Sequence, residues 1–384
     1  AEARARAEVA AACEVLDDLI AVDPTTLIER AAEQVDCLAA TPRASVSPLS
    51  LSCGPESAEI TEAVRGTWVQ IQVDGDRWGT LCGDGSGYAF YLYLAPDDAP
   101  PDRVIVGLQG GGVCLFEDDC TARLASAPEL FTAQDDEPPI TGIMSNDPGV
   151  SAFWDWTKVF LPYCSQDVFA GGGVDEQLGD LSLPRYGSVN MRAAVRMVRD
   201  LLWRELDAAG GPGFRPDEIV ALFGGWSAGG YGTLYNYHWF LDDLQWPRTA
   251  AFPDAGLGLD NGSALGVSGL GLIKIPAWGM KKNLPPYCFA GECAVGEVIY
   301  NNISPRLKRV PEQQMLMLTN QHDTTHENDA FFMDTPAFIN ELRRSYCATK
   351  DLPGIHHYYT SRSDEPVHVV TLRPEHWEGE VDGV

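Results

Sequence analysis

Positive charge is scarce in this chain. Its 27 Lys and Arg stand against 55 Asp and Glu, a net charge of −28, and only six of the 384 residues are lysine. A field of that sign repels nucleic acid and anionic membrane surfaces, and no basic run reverses it locally. Nowhere does the chain approach the roughly 20 consecutive apolar residues of a membrane span. No C-x-x-C pair occurs among its ten cysteines (Cys13, Cys37, Cys53, Cys82, Cys114, Cys120, Cys164, Cys288, Cys293 and Cys347). A clustered zinc site is therefore not expected, and the even, scattered count points to disulfides in an oxidising compartment. Repeats and low-complexity tracts are absent too. The sequence opens on a charged helical pattern, so a signal peptide is expected to have been removed or left out. These deficits describe a secreted protein, extracellular or periplasmic, or one from a salty environment. It is expected to be a monomer with no nucleic-acid partner, no metal and no cofactor.

A hydrophobic content of 45% with 10% aromatics fills a sizeable core, and the length suits one large α/β domain with insertions or two domains. Residues 1–45 read as a helical hairpin. Val9, Cys13, Leu16 and Ile20 share one helical face, Pro24-Thr25-Thr26 breaks the pattern, and Cys13 and Cys37 are placed to staple the two helices. From 46 to 384 the pattern predicts one domain. Short alternating strands before residue 95 give an antiparallel entry, and strands are expected at 103–108, 157–162 and 219–223. A helix over 190–208, capped by Asn190, lies between the last two. Further strands are expected at 249–252, 314–319 and 356–361, with a helix over 329–345. Strand and helix alternate as in a mostly parallel sheet flanked by helices. Residues 256–305 carry much Gly and Pro without a period, and read as a loop-rich insertion forming a lid or substrate wall.

The chemistry concentrates at Gly224-Gly225-Trp226-Ser227-Ala228-Gly229-Gly230, between a buried strand and a helix. Strand, glycine turn with a central Ser and helix make the G-x-S-x-G nucleophile elbow of α/β-hydrolases, although a purely structural glycine turn has the same composition. Ser227 is the candidate nucleophile, and the Ala228 amide faces the same space at a helix N-terminus. Upstream, Gly110-Gly111-Gly112 follows the strand at 103–108. Three glycines suit backbone N–H groups that must approach a ligand closely, so Gly111, Gly112 and Ala228 are the candidate oxyanion donors. In hydrolase order the acid follows a late strand and the histidine follows the last one. Asp323 and His368 satisfy that order, with Asp254 as the rival acid and His376 as the rival base. His322 and His326 flank Asp323 and are weak metal candidates; His238, His356 and His357 fall within a helix or strand.

Four segments, LQGGGVC, MSNDPGVSAFWDWTKVFLPYCSQDVFAGG, GGWSAGGYG and TNQHDTTH, resemble the pectin acetylesterase/Notum family of secreted serine esterases. The likeness runs from about Cys82 to His368. It implies an α/β-hydrolase variant that needs no metal, with Ser227, Asp323 and His368 as triad and Gly111, Gly112 and Ala228 as oxyanion hole. It also suggests pairing Cys82 with Cys164, leaving Cys53 for Cys347; Cys114–Cys120 and Cys288–Cys293 would close short loops. Family members remove acetyl from pectin or a fatty acyl group from a secreted signalling protein. Two departures stand out: Val113 sits where an aromatic is common, and the N-terminal hairpin is not part of the pattern. The expected activity is hydrolysis of a small or polymeric ester through an acyl-enzyme, with deacetylation of a carbohydrate foremost. A lipase or polyester depolymerase is the alternative, and a catalytically silent binding module a further one.

Overall fold

In a computed structural model, the apolar runs that read as strands pair into one sheet. The described residues are 60, 63–210, 219–244, 246, 248–259, 274, 277–280, 307, 313–325, 334–360 and 367–373. The expected hairpin at 1–45, most of the insertion at 256–305, Cys13–Cys37, Cys288–Cys293, His326 and His376 lie outside them.

In chain order the strands are β1 (Trp68–Gln72), β2 (Ala89–Tyr93), β3 (Arg103–Leu108), β4 (Thr157–Leu161), β5 (Val174–Leu178), β6 (Leu181–Arg185), β7 (Val220–Trp226), β8 (Arg248–Asp254), β9 (Gln314–Asn320) and β10 (Ile355–Thr360). The main helices are α1 (Glu117–Ser126), α2 (Gly187–Gly210), α3 (Ala228–Leu244) and α4 (Thr335–Thr349). Eight strands form the sheet in the order β1-β2-β4-β3-β7-β8-β9-β10. β1, β2 and β4 pair antiparallel, and every pair from β4 to β10 is parallel. This is an α/β-hydrolase-like sheet, as the alternating pattern predicts.

The chain leaves β3 for β4 on one side and leaves β7 for β8 on the other. β3 and β7 are neighbours, with Leu108 opposite Gly225, so their outgoing loops diverge and open a crevice at the carboxyl ends of the strands. Both faces of the sheet are covered, which is why the central strands read as nearly continuous apolar runs. On one face Phe223 stacks on Phe240 with centroids 4.4 Å apart, and Trp246 meets Phe240 edge-on. On the other, Ile105, Phe160, Trp226, Phe252 and Leu318 form a second cluster.

Three expectations are corrected. Asn190 does not cap α2, which starts at Gly187; its buried side chain accepts from Leu81 N and donates to Leu81 O. The helix expected at 329–345 is α4, which starts at Thr335, capped by Asp334 with Pro336 in its first turn. Cys82–Cys164 and Cys114–Cys120 are bridged, but Cys347, expected to pair with Cys53, is an exposed free thiol, and Cys53 lies outside the described residues. The inward face of α4 is Phe338, Leu342, Ser345 and Thr349, and Cys347 lies off that face.

Candidate active site

β7 ends at Trp226, and the chain turns at Ser227 with φ +56°. A non-glycine residue in the left-handed region is strained, and it persists only where its surroundings hold it. Here Ser227 N donates to Asp254 O at 2.8 Å, and Gly230 N donates to Ser227 O at 2.9 Å as α3 begins. Glycine is dictated on both sides of the turn. A Cβ on Gly229 would come to 2.1 Å from Leu108 O, and one on Gly225 to 2.6 Å from the Gly229 backbone. The ends of β3 and β7 and the start of α3 thus touch backbone to backbone. Ala228 is the first residue of 17-residue α3, where N–H groups lack helical partners and the dipole favours negative charge.

Past β3 the chain enters the glycine loop, where Gly111 has φ +148° and Gly112 φ +72°. Gln109 fixes its root: Nε2 donates to Asp136 at 2.6 Å, and Oε1 accepts from Tyr163 N at 2.6 Å. Burial pushes the Asp136 carboxyl up to about 6, with the Gln109 bond working against it.

Asp323 lies three residues past β9 and is fully buried. One carboxylate oxygen accepts from Thr325 N at 2.9 Å, and the two oxygens stand 2.9 and 2.8 Å from His368 Nδ1. With Nδ1–H donating to a carboxylate, the neutral ring carries its lone pair on Nε2, the tautomer a general base needs. Gly111, Gly112, Ser227, Ala228 and His368 line one cavity of about 610 Å³, walled on its apolar side by Val113, Phe160, Val168, Trp226, Tyr231 and Leu372. Five of the six residues singled out in the sequence therefore face one space, and the sixth, Asp323, bonds the histidine from behind. His238 is buried in α3, His356 pairs with Gln314 and His357 with Thr349, so none of these three joins the site. Among the described residues no cluster of three His, Cys, Asp or Glu could hold a metal ion.

The rival acid, Asp254, is also at the site but does not bond the imidazole. Its fully buried carboxylate accepts from Val370 N at 3.1 and 3.0 Å, from Thr371 N at 2.6 Å and from Thr371 Oγ1 at 2.6 Å. Thr371 Oγ1 in turn accepts from Trp226 Nε1 at 2.6 Å. The network ties the loop carrying His368 to the strand carrying Ser227. In the sequence only strand order favours Asp323 over Asp254; in the structure their partners separate them. Sequence reasoning also missed the 166–169 turn, where Gln166, Val168 and Phe169 take φ of +50°, +51° and +56°. Buried Asp167 holds that turn by accepting from Phe169 N and Gly187 N, and Val168 reaches the cavity.

Asp254 carries a pH prediction. Burial drives its carboxyl from 3.8 up to about 6, against the Thr371 and Val370 bonds that favour the charged form. Folding therefore favours the protonated acid. That contribution is fully present below pH 3.8 and is lost as pH rises through about 6, roughly 3 kcal/mol across the window. Urea unfolding at pH 4 to 7 should show this component in the wild type and its loss in Asp254→Asn. Equal pH slopes in the two proteins would refute it. At pH 8 the same variant should lower kcat on ester substrates about tenfold, because the His368 loop loses a charged acceptor for Thr371.

A pectinacetylesterase family model matches residues 63–306. Human palmitoleoyl-protein carboxylesterase NOTUM is 30% identical over 189 residues, 47% of this chain and 34% of that protein. Pectin acetylesterase 4 of Arabidopsis thaliana is 27% identical over 204 residues, 52% of this chain and 46% of the relative. The matched segment thus spans less than half the length of these relatives. The crystal structure of the Wnt deacylase Notum from Drosophila superposes with a TM-score of 0.58 at 20% identity, covering 79% of this chain and 86% of that one, which supports the shared fold. With the family model spanning more than half of its length, the chain belongs to the pectinacetylesterase family.

Proposed function

We propose that this protein is a serine carboxylic ester hydrolase working through an acyl-enzyme. The carrying observation is the buried Asp323 bonded to His368 Nδ1 behind a cavity that also receives Ser227 from its strained turn. In this reading Ser227 Oγ attacks the ester carbonyl while His368 Nε2 takes the hydroxyl proton. The imidazolium is stabilised by Asp323, and the oxyanion is held by the amides of Gly111, Gly112 and Ala228. The C–O bond breaks, and the alcohol leaves with the proton from His368. Water, activated by the same nitrogen, then frees the acid and restores Ser227.

The family relationship favours carboxylester substrates, and the cavity bears on which ones. At about 610 Å³ with a largely apolar wall, it is the size of a pocket for a drug-sized molecule rather than for acetyl alone. A medium acyl chain packed against Phe160, Trp226 and Leu372 suits it. Two disulfides among the described residues suit an oxidising compartment.

The test is a p-nitrophenyl ester series from acetate to palmitate, with a fluorophosphonate label located by mass spectrometry. Expected are hydrolysis with kcat/KM for octanoate at least equal to that for acetate, and a covalent adduct on the peptide containing Ser227. Activity confined to acetate would overturn the acyl-chain assignment. No hydrolysis of any chain length, with no adduct, would overturn the esterase reading.

A further inference from the structure

The oxyanion reading leaves two charged side chains of the cavity unused, Arg123 and Glu137, and only the first touches the glycine loop. Arg123, in the last turn of α1, lines the same space as Gly111 and Gly112. Its Nη2 donates to the carbonyl oxygen of Gly111. That carbonyl belongs to the peptide unit whose other end is the Gly112 N–H, one of the proposed donors. The unit is trans, as are all described peptide bonds, so its C=O and N–H point in opposite directions. Anchoring the oxygen on Arg123 directs the N–H away from the guanidinium.

Three further features make this anchor specific. A Cβ on Gly112 would approach Arg123 Nη2 to 2.9 Å, so the guanidinium covers the face of Gly112 that a side chain would occupy. The Cys114–Cys120 bridge joins the end of the glycine loop to α1 one turn before Arg123, limiting how far the arginine and the loop can part. No ion pair among the described residues involves Arg123, so no carboxylate there competes with the Gly111 carbonyl for its guanidinium at contact distance, although Glu137 lines the same cavity. A hydrogen bond from a charged donor is about twice as strong as a neutral one, and it polarises the peptide it lands on. Positive charge on the Gly111 oxygen thus strengthens Gly112 N–H as a donor at the far end of the same peptide.

We propose that Arg123 is a positioning residue for the oxyanion site, locking the Gly111–Gly112 peptide with its N–H turned toward the reacting carbonyl. The proposal rests on the esterase reading above and extends it to a residue that does not touch the reacting atoms.

The experiment compares wild type, Arg123→Met and Arg123→Lys on p-nitrophenyl butyrate, with binding of a trifluoromethyl ketone that forms an oxyanion on the nucleophile. A loosened donor should cost Arg123→Met about 10- to 100-fold in kcat with KM within twofold, and ketone affinity should fall in the same proportion. Arg123→Lys keeps the charge but not the fork, and should lie between. Thermal melting identifies a variant that fails to fold. If the methionine variant does so, the lysine variant decides alone: a lower kcat at unchanged KM supports the proposal and an unchanged kcat overturns it. A raised KM with unchanged kcat also overturns it, placing the guanidinium on the substrate instead. A wild type inactive on every ester would bring down the esterase reading together with this one, and needs no variant to be recognised.

Discussion

Ser227→Ala is expected to lower kcat on p-nitrophenyl esters by a factor on the order of 10⁶, leaving only what oxyanion donors and binding supply without a nucleophile. The substitution removes one oxygen from the cavity wall and leaves the turn as strained as before, since alanine at φ +56° is no more comfortable than serine. Fluorophosphonate labelling should vanish along with hydrolysis. Activity above about one per cent of wild type would show that another group attacks the ester. Ser227→Gly supplies a control that a merely structural role cannot imitate. Glycine accepts positive φ freely, so this variant should be equally inactive yet more stable by about 1 kcal/mol in urea unfolding. An inactive protein that gains stability marks a residue kept for chemistry at a cost in strain.

What could be read from the sequence follows the physics of each element. β3, β4, β7, β8 and β9 are buried on both faces, so they stand out as apolar runs, and the turns at the carboxyl ends of β3, β7, β8 and β9 stand out by their Gly or Asp. Those turns build the candidate site, so Ser227, Asp323 and the glycine loop can be singled out from the sequence, with His368 following from its place after the last strand. The β5–β6 hairpin was not. Its strands, VDEQL and LSLPR, carry polar residues inward. Glu176 pairs with Arg185 at 2.7 Å and with Lys274 at 2.5 Å, and accepts from Trp278 Nε1 at 2.8 Å. A buried ionic network looks in sequence like solvated loop, because its partners come from positions up to 102 residues apart. Asn190 failed for a related reason. A side chain that caps a helix and one that bonds a distant backbone carry the same letter, and only the position of Leu81 separates them. Arg123 was equally silent, one arginine in a charged helix until the Gly111 carbonyl is placed against it.

The choice between the two strand-end aspartates is settled most directly by Asp323→Asn, expected to cut kcat by about 10⁴ with KM little changed. An asparagine can keep the Thr325 N–H bond to its oxygen, so the loop after β9 should hold its shape. What it cannot keep is the relation to His368. The Asp323 oxygens stand 2.8 and 2.9 Å from Nδ1, and an amide nitrogen turned to that position would demand a lone pair on Nδ1. The proton then moves to Nε2, and the nitrogen facing the cavity loses its capacity to take the Ser227 proton. An amide oxygen kept toward Nδ1 would preserve the tautomer but lose the negative charge that stabilises the imidazolium. Either outcome costs rate in the transition state rather than substrate binding. Asp254→Asn makes the contrast, because Asp254 bonds the backbone of Val370 and Thr371 and not the ring. Its loss should displace the imidazole slightly, for a roughly tenfold effect that adds little to the larger one when the two are combined. The reverse ranking, with Asp254→Asn near 10⁴ and Asp323→Asn near tenfold, would make Asp254 the catalytic acid and Asp323 its support.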